Sequence, residues 1–199
     1  MPASNSTTIT QERMAPKETV ALAKKLKFVE TEGGPVLVCP KALLPQWHGV
    51  YDAQGEFIYE KSPCDYDRAC DAKGLIIPVG RGQALVMNQH ESTAFLQTAP
   101  GTAYLLFWAG ADAASHVLEA VLSAPPKAWR KKKEVFTMTG KELALLDSAQ
   151  EGKDKPAFVG ALAPGRYSIE EMTEYDGQIR AGDAVHGLMA SGLRLTKLS

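Results

Sequence analysis

Ala103-Tyr104-Leu105-Leu106-Phe107-Trp108-Ala109 is followed within a few residues by Asp112 and a helical pattern, with Ala114, Val117, Leu118, Val121 and Leu122 recurring at spacings of three and four. The first run is almost wholly apolar, as a strand covered on both faces has to be. Strand alternation puts Leu105 and Phe107 on one face, and Leu106 and Trp108 on the other. The second run is an amphipathic helix capped by Asp112, with Ser115, His116 and Glu119 turned away from its apolar stripe and Pro125-Pro126 ending it. A helix of this kind must bury its stripe, and the strand before it supplies the sheet. Strand-and-helix in that order, inside a chain otherwise rich in short strand patterns, predicts an α+β fold: predominantly antiparallel β-sheet with one amphipathic helix packed on it and short helical turns.

Working outward, Lys27 to Thr31 and Val36 to Cys39 read as strands around a Gly33-Gly34 turn followed by Pro35. Ala42 to Trp47 reads as a helical turn, and Phe57-Ile58-Tyr59 as a strand. Asp65 is placed as an N-cap with Asp67 in the first turn, where negative charge suits the helix dipole. Leu75 to Val79 and Gln83 to Met87 form a hairpin across Gly80-Arg81-Gly82. Further strands are expected over residues 135–138, 158–162, 166–169 and 188–198, with Gly192 marking a bulge in the last. Residues 1–25 read as a flexible N-terminal arm, Ser/Thr-rich at its start, with a short helix from Glu18 to Lys25 leading into the domain. Residues 26–125 form the α+β domain, and 130–199 a β-rich C-terminal region that is either part of it or a small second domain.

The chain has 199 residues, 45% of them hydrophobic, enough for a sizeable core. Its 22 basic and 23 acidic side chains leave a net charge of −1, which excludes the global basic field of a nucleic-acid binder. Residues 41–100 carry five basic and seven acidic side chains, and residues 126–199 twelve and ten. An odd number of cysteines, Cys39, Cys64 and Cys70, argues for reduced thiols rather than a disulfide framework. The chain holds no apolar run long enough to span a membrane and no apolar stretch of signal-peptide type at its start, so the expected location is the cytoplasm.

No constellation for catalysis or for a cofactor emerges. Asp65, Asp67 and Asp71 match the opening of a calcium loop, but Cys70 stands where such a loop needs glycine and Ile76 where it needs glutamate. Cys64 and Cys70 are six apart, a spacing that fits no common zinc pattern, and His48, His90, His116 and His186 are scattered. Gly33-Gly34-Pro35 lacks the Lys-Ser/Thr of a phosphate loop. Arg130-Lys131-Lys132-Lys133 beside Trp129 reads as a solvated linker, since single-strand binding needs several aromatics among the basic groups. Trp47, between Pro45 and Gly49, reads first as a lid over the core and, if it stands half-exposed, as an interface anchor.

Taken in order, Glu32-Gly33-Gly34-Pro35, Leu44-Pro45-Gln46-Trp47-His48-Gly49, Cys64-Asp65-Tyr66-Asp67-Arg68-Ala69-Cys70-Asp71, Ile77-Pro78-Val79-Gly80 and Gln83-Ala84-Leu85-Val86 resemble the immunity protein 21 family over residues 27–122, with a weaker echo at Pro164-Gly165-Arg166-Tyr167. The resemblance implies a non-enzymatic antitoxin that occludes a bacterial toxin encoded by an adjacent gene, with no cofactor, nucleic acid or membrane. Trp47, Asp65, Asp67 and Asp71 are the residues expected to bind the partner; no catalytic or metal residue is assigned. The alternatives are a small cytosolic ligand-binding or scaffold domain and, further off, a hydrolase using one of the three thiols.

Overall fold

The computed structural model describes the backbone of residues 13–14, 17–87, 92–154, 156–181 and 184–199, and side chains over 19–87, 92–108, 111–154, 156–172 and 191–199. Twelve strands and three α-helices follow one another along these residues: β1 Arg13–Met14, α1 Lys17–Ala23, β2 Phe28–Glu30, β3 Val36–Pro40, α2 Asp65–Cys70, β4 Ile76–Val79, β5 Gly82–Met87, β6 Ser92–Ala99, β7 Thr102–Gly110, α3 Ala114–Ser123, β8 Arg130–Met138, β9 Glu142–Asp147, β10 Phe158–Ala161, β11 Gly165–Ala181 and β12 Ala184–Lys197. Short 3-10 turns run over Lys41–Gln46 and Pro126–Ala128.

The strands form two sheets. The larger is ordered β1-β11-β12-β7-β6-β2, with β8 also paired to β11; the smaller is ordered β10-β9-β3-β5-β4. All pairings are antiparallel except the short β1–β11 contact. The fold is therefore α+β and predominantly antiparallel, as the strand patterns predict. Each sheet takes strands from both sides of residue 126, because β9 pairs with β3 and β12 with β7.

Alternation along the strands builds three apolar layers. Leu105 and Phe107 of β7 meet Val36, Val38, Leu85, Leu143 and Leu145 between the sheets. Leu106, with half-buried Trp108, faces outward under α3, beside Ala94, Leu96 and Met172. On the far side of the smaller sheet, Leu37, Cys39, Val86 and Leu146 are covered by Leu43, Leu44, Trp47 and Ala69 from the segment before β4. The two-sided burial of β7 is thus as read from its sequence.

Several expectations need correction. His116 and Glu119 are buried and Leu122 is 40% exposed, because α1 packs across α3 and Thr19 Oγ1 donates to Glu119 Oε2 at 3.3 Å. The short helix expected from Glu18 to Lys25 is present, over Lys17–Ala23, and Ala23 is buried; residues 1–12 lie outside the described residues. The N-cap of α3 is Ala113, with no side-chain cap, rather than Asp112. Phe57-Ile58-Tyr59 is no strand: only a single bridge joins Phe57 to Tyr51. The Arg130 to Lys133 run is the start of β8 rather than a linker, since long side chains can reach solvent from a strand whose Phe136 and Met138 enter the core. Against β7 the register of β12 shifts between Met189 and Ala190, and against β11 it shifts between the Met172–Gly192 and Tyr175–Ala190 pairs, so Gly192 borders an irregularity.

Candidate functional site

Four of the sequence motifs, at residues 32–35, 44–49, 64–71 and 77–80, meet at one place on the outer side of the smaller sheet. Trp47 follows the 3-10 turn and points into the core, 1% exposed, with its indole N–H donating to the Ser148 carbonyl at 3.0 Å. The Val50 N–H donates to Ala149 O at 3.1 Å and Gly152 N–H to Trp47 O at 2.8 Å, so residues 47–50 are laced to residues 148–152. The fit excludes side chains. A Cβ on Gly152 would stand 1.7 Å from Leu44 O, and one on Gly49, where φ is +59°, would stand 2.2 Å from Ala149 O. Asp147 holds the same corner: Oδ1 accepts from Ala149 N–H and Oδ2 from Glu32 N–H.

Helix α2 is seated on this knot. Its first-turn Asp65 accepts the His48 N–H at 2.8 Å, and Tyr66 N–H donates to Gly49 O at 3.0 Å. The Tyr66 ring lies over Gly34, where a Cβ would come within 2.6 Å of Cε2. The cap is Cys64, one residue earlier than Asp65, because Asp67 reaches back to accept both the Cys64 N–H, at 2.9 Å, and the Cys64 thiol, at 3.1 Å. That reciprocal arrangement satisfies donors the helix leaves free. Arg68 bridges Asp65 to the Pro78 carbonyl, tying α2 to β4, and its guanidinium lies 6.0 Å from the Trp47 ring.

The partner-binding residues expected from sequence therefore divide. Trp47 is structural: buried and hydrogen-bonded, it offers no surface to a partner. Asp65 is half-buried and paired with Arg68. Asp67 and Asp71 border an open groove of ≈ 490 Å³, together with Tyr59, Glu60 and Pro63. Donation by Cys64, first from its thiol and then from its backbone, holds the Asp67 carboxyl below the usual carboxylate value. Over residues 51–71 there are six carboxylates against Lys61 and Arg68, a net of −4.

The loop leading into the groove carries residues the sequence reading passed over. Asp52 Oδ1 accepts from Gln54 and Glu56 N–H, both at 2.9 Å, closing a tight turn. Ile58 N–H donates to Val50 O at 3.0 Å, fixing the returning limb. Four rings then meet edge to face: Tyr51–Phe57 at 5.9 Å, Phe57–Tyr59 at 6.4 Å and Tyr59–Tyr66 at 5.5 Å. Phe57 is 49% exposed, and Lys61 Nζ stands 5.7 Å from its centroid. The alternation of aromatics with Asp52, Glu56 and Glu60 is the signal that was available.

The thiols hold their protons. Burial pushes Cys39 up to about 12, and burial likewise raises Cys64 and Cys70. Tyr66 is raised to about 12, first by its hydrogen bond with Cys70 and then by burial. A nucleophilic cysteine needs the opposite shift. Among the described residues, no group of three or more His, Cys, Asp or Glu side chains is placed to hold a metal ion, and no helix is long and apolar enough to cross a membrane.

The family model for immunity protein 21 matches residues 27–178, reaching well past residue 122 to take in the 147–152 clamp and much of β11. No curated protein and no solved structure matches the chain.

Proposed function

The chain belongs to the immunity protein 21 family, and we propose on that footing that it binds a bacterial toxin protein encoded by an adjacent gene and silences it by occlusion, in the cytoplasm and without catalysis. The observation that carries the reading is the groove beside α2: carboxylates and aromatic rings displayed on a backbone clamped to the core. A surface bearing a net −4 over 21 residues repels phosphates and selects a basic protein partner. Asp67 on α2 and Asp71, the residue that caps its C-terminus, border the same groove and act mainly on the encounter rate, as exposed charges do. Asp65 and Trp47 support that groove from behind.

Co-expression with the toxin encoded next to the gene tests the reading. The chain protects cells, and the purified pair associates. Exchanging Asp67 and Asp71 for Lys slows association by about tenfold and flattens its dependence on salt. A chain that neither binds nor protects refutes the antitoxin reading; full protection by the charge-reversed variant refutes the placing of the site.

A further inference from the structure

Phe57 is the one aromatic among the exposed large hydrophobics of the described residues, and it does not stand alone but in a row with Tyr51, Tyr59 and Tyr66. Its loop is not loose. The Asp52 turn, the Tyr51–Phe57 bridge and the Ile58–Val50 hydrogen bond hold it, and Tyr59 joins it to Tyr66, which is itself seated on Gly34. A rigid aromatic costs little side-chain entropy on binding, which is why such residues dominate interfaces. Glu60, next to the row, has φ +64°, a left-handed conformation uncommon for a residue with a Cβ and one that collects at functional surfaces.

The chain itself indicates what the row accepts. Lys61 curls back so that its ammonium faces the Phe57 ring at 5.7 Å and its Nζ donates to the Phe57 carbonyl at 3.4 Å. Both contacts are long, on an exposed side chain, so this internal cation is weakly held and displaceable. Beyond it opens the groove between Tyr59 and the carboxylates of Asp67 and Asp71. A guanidinium suits this place better than an ammonium: it is planar, stacks on a ring face and gives carboxylates a forked donor.

We propose that Phe57 and Tyr59 are the energetic centre of the toxin interface, and that they receive an arginine side chain of the toxin, which displaces Lys61 and enters the groove toward Asp67 and Asp71. This rests on the antitoxin reading and assigns its recognition residues.

Calorimetric titration with the purified toxin domain encoded by the adjacent gene is the test. Phe57→Ala and Tyr59→Ala each weaken binding by about 30-fold or more, the loss expected of a hot-spot aromatic. Phe57→Leu, which keeps apolar bulk and removes the π face, weakens it by about tenfold, whereas Phe57→Trp binds at least as tightly as the wild type. Lys61→Met tightens binding by about threefold, since no internal cation has to leave. Phe57 is half-exposed, so its variants melt close to the wild type, and circular dichroism checks that each is folded. If the wild type binds and Phe57→Ala stays within about threefold of it, the inference is overturned and the antitoxin reading stands. If the wild type does not bind, both fall. Self-association of the chain that depends on Phe57, with toxin binding untouched by Phe57→Ala, makes the occupant a second copy and overturns the toxin assignment.

Discussion

Two charged stretches of this chain, residues 51–71 and residues 127–134, look alike as sequence and are built in opposite ways. Each is polar and rich in charge of one sign; the first carries four aromatics and the second one. The basic stretch is an edge strand. Lys132 pairs with Glu171 on β11 at 2.9 Å; one strand further, Arg194 pairs with Glu170 at 2.8 Å and lies 4.7 Å from the Trp129 ring. Its aromatic is buried, 8% exposed, against Tyr104 and Arg194, and its carboxylate partners come from neighbouring strands. Lysines along an edge strand also discourage unwanted strand pairing. The acidic stretch has little regular structure beyond α2, yet it is held by backbone hydrogen bonds to residues 48–50, a segment itself tied to residues 149–152. Its large aromatic, Phe57, is turned outward. Lys132 in the strand is matched by a carboxylate of the neighbouring strand; Asp67 and Asp71 in the acidic stretch border an open groove.

Removing what holds each stretch is the strongest way to break this contrast. Trp47→Ala should destabilise by about 3–5 kcal/mol, the range for a large buried aromatic, measured by denaturant unfolding. It should also loosen the α2 region enough to weaken toxin binding indirectly. Trp129→Ala, at the rim of its cluster, should cost less and leave binding unchanged. Equal effects on binding would mean that the basic strand belongs to the interface.

Alkaline titration probes the buried side of the same corner. The folded Cys39 value, about 12, lies above the ordinary 9, so the protonated form is favoured in the folded state. The contribution is intact below pH 9 and is lost as pH rises toward 12. The loss is of order 4 kcal/mol from this thiol, and a Cys39→Ala variant should have a flatter alkaline stability profile.

Asp67 sharpens the comparison at lower energy. Asp67→Asn weakens the reciprocal cap of α2 and should cost about 1 kcal/mol. The folded carboxyl titrates below its ordinary 3.8, so its stabilisation is present above that value and disappears as pH falls through the lower folded value. An acid unfolding curve for Asp67→Asn that matches the wild type would show that the cap carries no stability.

The smallest effect belongs to the strand. A double-mutant cycle on Lys132 and Glu171, both about a quarter to a third exposed, should give about 0.2–1 kcal/mol, while Lys131→Ala should stay within about 0.5 kcal/mol of the wild type. A coupling near zero would reduce the β8 charges to solubility alone.

Read from the chain alone, periodicity determined the α+β class, the two-faced burial of β7, the hairpin of β4 and β5 and the apolar stripe of α3, because spacing by two or by three and four is a local property of the backbone. The ordered motifs placed the chain in its family for the same reason: they are strings. What covers the other side of α3, and so buries His116 and Glu119, was settled by α1 docking from about 100 residues away. Likewise, the choice between Trp47 as a lid on the core and as an interface anchor, and the exposure of Phe57, were decided only when residues 147–152 closed over one and left the other bare. Sequence spacing carries no record of contacts between segments so far apart, and burial is decided by those contacts.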